Sequence, residues 1–215
     1  HTTRPEVTLA PYSDKAALHQ LIAEHKPAVL IVGYWAYMHL LPPDIDIPVV
    51  MDLLAPWLLE ADFQENYDME VESIDYINCL SRADYFLCCT QRQKAFHTAW
   101  LFMSGLSCKD NPLDVIPISA DPNLPNKEIS LPEKEPVFLY GGVLWPWRNP
   151  DAWLSQLLEI LVAENRGRLH LITGKYPLHE AASSGKLKLP QEPQYQRFLK
   201  QSDLLPYDEM EQYYL

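Results

Sequence analysis

The run "AVLIVGY" at Ala28–Tyr34 is apolar at consecutive positions rather than at alternate ones. A strand with water on one face alternates, so an unbroken run of this length fits a strand covered on both faces, as in a parallel sheet flanked by helices. The pattern returns in "IPVVMDLL" (Ile47–Leu54), "DYFLCCT" (Asp84–Thr90), "LDVIPI" (Leu113–Ile118), "VFLYGG" (Val137–Gly142) and "RLHLITG" (Arg168–Gly174), with "VTLA" (Val7–Ala10) as a weaker first strand. Between these runs the spacing is helical. Ser13 reads as the cap of "DKAALHQLIAEH", whose Ala17, Leu18, Leu21 and Ile22 share one face. The acidic stretch Pro56–Ala83 turns Met69, Ile74, Ile77 and Leu80 inward, and "QRQKAFHTAWLFMSG" closes near Gly105. "NPDAWLSQLLEILVAEN" and a last helix beginning near Tyr207 continue the series. Strand–helix alternation over the whole length predicts an α/β fold with mainly parallel sheets.

At 215 residues, 47% apolar and 11% aromatic, the chain can bury a substantial core. The polar, proline-bearing "NKEISLPEKEP" is the best linker, which divides the chain into 1–125, a connection at 126–136, and 137–215. A net charge of −12 argues against a general nucleic-acid binder, because such proteins need basic surface. Cys79, Cys88, Cys89 and Cys108 have no metal-ligand spacing, and adjacent Cys88–Cys89 is a poor disulfide pair. Buried reduced thiols and a cytoplasmic setting are the expectation. No apolar run approaches a membrane span. The chain opens on His1 and ends inside the helix-like "MEQYYL", as expected of an internal piece of a longer protein.

In doubly wound sheets ligands bind beyond the carboxyl ends of the strands, so the residues just after each strand are the informative ones. They include "GYWAYMH" (Gly33–His39), "DLLAPW" (Asp52–Trp57), "TQRQ" (Thr90–Gln93), "GGVLWPWRNP" (Gly141–Pro150) and "GKYPLHE" (Gly174–Glu180). None matches GxGxxG with its acidic partner, GxxxxGK[ST] or GxSxG, and no zinc spacing is present. The glycine pair Gly141–Gly142 stands out. It reads as a tight turn whose amides can approach an anion with no β-carbon in the way. The following helix aims its N-terminus at the same place, and Arg148 adds a bidentate phosphate donor. Lys175, after Gly174, is a second candidate cation. The competing reading is a common Gly-Gly connection with a solvated arginine. Tyr34, Trp35, Asp52 and Trp145 are candidates to line an acceptor site or cleft, with packing as the competing role of the aromatics and helix capping that of Asp52.

The order "IPVVMDLLAPWLLE", "ADYFLCCTQRQKAFHTAWL", "DVIPIS", "VFLYGGVLWPWRNPDAWL", "GRLHLITGKYP" resembles the family-4 (group 1) glycosyltransferases of the GT-B fold, from about Ile47 to Leu215. The resemblance implies two Rossmann-like units: the later part of an acceptor-side domain in 1–125 and the beginning of a donor-side domain in 137–215. It implies retaining transfer of a sugar from a nucleotide-diphosphate donor to the hydroxyl of a sugar, lipid-linked or small-molecule acceptor. No nucleic-acid partner and no essential metal are implied; the chain carries no Asp-x-Asp metal motif. Cytoplasmic residence, with attachment at the inner membrane surface for lipid-linked acceptors, goes with it. In the family's Gly-Arg-x-x-x-x-Lys-Gly donor loop, Gly142 stands at the glycine, Val143 at the arginine and Arg148 at the lysine. His39 is the candidate for the acceptor-side catalytic histidine, while Ala55 replaces a second loop aspartate. The family's Glu-x7-Glu pair would lie beyond Leu215, so the 215 residues alone are expected to be inactive. The alternative is a non-catalytic binding or scaffold subunit of the same fold.

Overall fold

The computed structural model describes residues 7–118, 135–174, 187–206 and 209. The chain divides into two compact units, the first within 1–119 and the second centred on 120–215. The connection expected at 126–136 lies largely outside the described residues.

In the first unit, four parallel strands run in the order β1 (Leu30–Val32), β2 (Val49–Asp52), β3 (Tyr85–Cys88), β4 (Leu113–Val115). The register aligns Val32 with Met51, Met51 with Phe86, and Phe86 with Leu113. One sheet face carries Val32, Val49, Met51, Phe86, Cys88 and Leu113, all buried, whereas Ile31 on the other face is 68% exposed. Both faces are expected to be covered; one face is buried, whereas the other is half-buried at Val50, Tyr85 and Leu87 and open at Ile31. Helix α1 (Lys15–His25) precedes β1, α2 (Trp57–Ala61) and α3 (Met69–Leu80) lie between β2 and β3, and α4 (Gln91–Met103) lies between β3 and β4. Tyr76, Cys79 and Leu80 from α3 and Leu101 from α4 close the core. Each fully buried side chain of this size contributes about 1.5–3 kcal/mol.

Several local expectations change. Val7–Ala10 forms no strand; Val7 and Leu9 are exposed. Asp14, not Ser13, caps α1: its Oδ1 accepts from the Ala17 amide at 2.9 Å, and the Ser13 hydroxyl donates to the other oxygen. The stretch Pro56–Ala83 is two helices rather than one, because Asp68 starts α3 afresh by accepting from the Glu70 and Val71 amides. Ile74 faces solvent at 54% exposure, and Tyr76 and Cys79 take the inward face instead.

The second unit holds the parallel sheet β5 (Val137–Val143), β6 (Arg168–Gly174), β7 (Leu199–Ser202), with α5 (Asp151–Glu164) between β5 and β6. Leu154, Leu158 and Leu161 of α5, spaced for one helical face, pack with Leu169, Leu171, Leu189 and Phe198. β7 and the short α6 (Pro193–Gln196) carry no periodic apolar signal, since only the first residue of "LKQS" is apolar. Gly141–Gly142 is not a turn. Both residues lie inside β5, paired with Ile172 and Thr173. Of the helix expected from Tyr207, only Glu209 is described, as helical; the rest lies outside the described residues.

Candidate functional site

Parallel pairing brings the carboxyl ends of β1–β4 to one edge of the first unit. Asp52 ends β2 there, half-buried, and burial raises its carboxyl above the ordinary aspartate range. Thr90 caps α4 by accepting from the Gln93 amide at 3.1 Å. The Gln93 side chain in turn accepts from the Cys89 amide and donates to the Leu54 carbonyl, both at 3.0 Å. That clamp fixes the loops after β2 and β3 to each other.

The residues after β1 form a 3-10 helix, Trp35–Leu40. Trp35 is core, at 5% exposure, edge-on to Tyr76 with ring centroids 5.4 Å apart. Tyr34 packs edge-on against Tyr37 and Trp57, and burial raises its phenol strongly. Packing is therefore what the structure shows for both aromatics. His39 is turned elsewhere. Its Nε2 lies 2.9 Å from Asp75 Oδ2 and 3.4 Å from Cys79 Sγ, one turn apart on α3. Its segment is gripped from two sides. Arg82 donates to the carbonyls of Met38 and Pro42 at 2.8 Å and of Leu41 at 3.3 Å, while His19 Nε2 lies 2.8 Å from the Leu40 carbonyl. Asp75, Cys79 and Arg82 escaped the sequence reading because His39 stands 36 residues before Asp75. Only the i, i+4 spacing of Asp75 and Cys79 was there to be seen.

In the second unit, a solvent-open hollow of about 110 Å³ lies where the chain leaves β5 and enters α5. It is lined by Trp145, Arg148, Asn149, Asp151 and Lys188 among others, but not by Gly141 or Gly142. Gly142 has φ +134, a conformation L side chains rarely adopt, so glycine suits the backbone shape of the strand there. Val143 pairs with Gly174 and is half-buried. The loop is stiff for a visible reason: Trp145 and Trp147 stack on each other at 5.1 Å and 12° with Pro146 between them. Asn149 accepts from the Asp151 amide at 2.9 Å, which occupies one donor at the start of α5. Asp151 Oδ1 accepts from the Lys188 amide at 3.1 Å, bringing a second cation to the rim. Arg148, Asp151 and Lys188 thus line the same hollow, Lys188 held there by its backbone amide on Asp151. Lys175 lies outside the described residues.

No protein-family model and no curated protein matches the sequence. Solved structures do. A sucrose-phosphate synthase from Thermosynechococcus elongatus superposes with a TM-score of 0.64 at 15% identity, over 93% of this chain and 51% of that one. The lipopolysaccharide outer core galactosyltransferase WaaB, in its apo form, gives 0.53 at 17%, over 92% and 50%. TarM gives 0.50 at 11%, over 84% and 33%. The chain spans about half the length of the first two and a third of TarM. At these identities the likeness shows the fold: two Rossmann-like units with parallel sheets, part of a GT-B architecture. Among the described residues no helix is long and apolar enough to cross a membrane.

Proposed function

We propose that the chain is part of a glycosyltransferase that moves a sugar from a nucleotide-diphosphate donor to an acceptor hydroxyl with retention of configuration. The hollow at the start of α5 would hold the diphosphate. The observation that carries this reading is Arg148 and Lys188 at one hollow beside a helix start, in a fold shared with a sucrose-phosphate synthase and a galactosyltransferase. As the glycosidic bond breaks, negative charge grows on the leaving diphosphate. Cations fixed beforehand stabilise that charge without reorganising, which is the largest lever such a site has. Lys188 supplies the second cation of the proposal, with Lys175 a further one. Transfer would need no metal at the diphosphate. The stacked Trp145–Trp147 pair keeps the loop in one conformation, so less entropy is lost on binding. Among the described residues Cys79, Cys88 and Cys89 are free thiols, in keeping with a cytoplasmic setting.

A second reading has its own support. The Asp151 carboxylate shares the hollow and opposes an anion at the helix start, and apolar Val143 sits in a paired strand. Both fit a non-catalytic binding or scaffold subunit. Calorimetric titration with UDP and GDP, followed by donor turnover in the full-length protein, separates the two. The enzyme reading expects diphosphate binding that Arg148→Ala weakens, and a loss of about 10²–10³-fold in kcat, the scale of a removed oxyanion donor. Wild-type binding without turnover of any donor supports the scaffold reading. Unchanged binding and turnover in Arg148→Ala removes Arg148 from the site.

A further inference from the structure

We propose that His39, Asp75 and Cys79 form a zinc site that clips the 3-10 helix after β1 to α3. Their three ligand atoms, Nε2, a carboxylate oxygen and Sγ, all lie within 4.8 Å of one another. Tetrahedral zinc, with bonds of about 2.0–2.3 Å, holds its ligand atoms about 3.3–3.6 Å apart. The observed 2.9 Å from nitrogen to oxygen and 3.4 Å from nitrogen to sulfur lie close to that geometry, and the oxygen–sulfur edge, at most 4.8 Å, closes by side-chain rotation on binding. The chemical set is apt for this ion: imidazole, thiolate and carboxylate are its ordinary ligands, and one of each with a divalent cation gives a neutral cluster.

The directions of approach separate coordination from an acid–base relay. A histidine that passes a proton from a thiol and is steadied by a carboxylate uses its two ring nitrogens for the two partners. Here a single nitrogen faces both. Convergence on one point is what a metal requires. On binding, the thiol proton passes to solvent and the imidazole carries its proton on Nδ1.

The site is also held in place. Asp75 and Cys79 are one turn apart on α3, and the peptide carbonyls flanking His39 are fixed by Arg82 and His19. His39 is 50% and Asp75 39% exposed, which leaves an entry path and a fourth position for water. Nothing in this depends on sugar transfer.

The test is a titration of the metal-stripped 215-residue chain with Co2+ as a spectroscopic stand-in, then displacement by Zn2+. The expected result is one equivalent bound, with a thiolate-to-cobalt charge-transfer band and tetrahedral visible bands. Zinc should raise the thermal midpoint. Cys79→Ser should abolish the charge-transfer band, and Cys88→Ser should leave it intact. His39→Gln and Asp75→Asn alter half-exposed side chains, so they keep the test decisive if Cys79→Ser fails to fold. Each should weaken zinc binding more than about 10-fold, the scale that even outer partners of a ligand command. A spectrum without thiolate ligation, or unchanged zinc affinity in both His39→Gln and Asp75→Asn, overturns the proposal.

Discussion

His97 is fully buried in the first unit, with Nδ1 3.0 Å from the Tyr76 hydroxyl. Burial lowers its pKa from 6.5 to about 4. The unfolded chain takes up this proton near pH 6.5, and the folded chain resists it down to about 4. The stability that neutral His97 contributes is therefore complete above pH 6.5 and is lost as the pH falls towards 4. Across that window the loss is about 3 kcal/mol. Urea unfolding of wild type and His97→Asn at pH 7 and pH 4.5 tests this; the variant should shed most of the excess acid sensitivity. Gly167 is a second single-residue constraint. Its φ is +87, and a β-carbon there would sit 3.0 Å from both Leu161 Cδ2 and the Pro136 carbonyl oxygen. Strain and contact act together, so Gly167→Ala should cost about 1–3 kcal/mol, read as a lower urea midpoint. Gly142→Ala has open space and should show only the backbone component.

At the scale of elements, α1, α3 and α4 each start on a side chain that accepts from exposed amides. Thr90 caps α4 with its hydroxyl on the Gln93 amide. Thr90→Ala should cost about 1 kcal/mol and Thr90→Asn much less, measurable by chemical denaturation. Such signals explain what was legible. Long apolar runs located β1 to β6, even where part of the strand stays exposed, as at Ile31 of β1 and Val137 of β5. Elements whose stability comes from neighbours left less trace. β7 is a strand because Leu199 and Lys200 pair with Leu169 and His170, and "LKQS" by itself states nothing. The glycine pair misled for a physical reason: glycine marks a turn, but it also serves inside a strand where φ becomes positive, as at Gly142. The site divided in the same way. Trp145 and Arg148 were found from loop composition and do line one hollow, whereas Lys188 reaches it only through a backbone bond to Asp151.

For the whole molecule, the net charge of −12 sets a condition on the proposed ligand. A nucleoside diphosphate is itself an anion and approaches through a field that repels it, so attraction must come from close cations such as Arg148 and Lys188. These two contributions respond differently to salt. The Debye length falls from about 30 Å at 0.01 M to about 10 Å at 0.1 M, so added salt first removes repulsion from distant carboxylates and only later weakens contacts within hydrogen-bonding reach. The affinity for UDP or GDP should therefore stay level or rise between 0.01 and 0.1 M salt. A basic binder loses affinity steadily over the same range. Calorimetry in a series of NaCl concentrations reads this directly. In Arg148→Ala the net charge falls from −12 by one further unit and an attractive contact is gone, so its residual affinity should climb more steeply with salt than that of wild type. A steep loss with salt in wild type would mean that a basic field, rather than two cations at one hollow, governs the encounter.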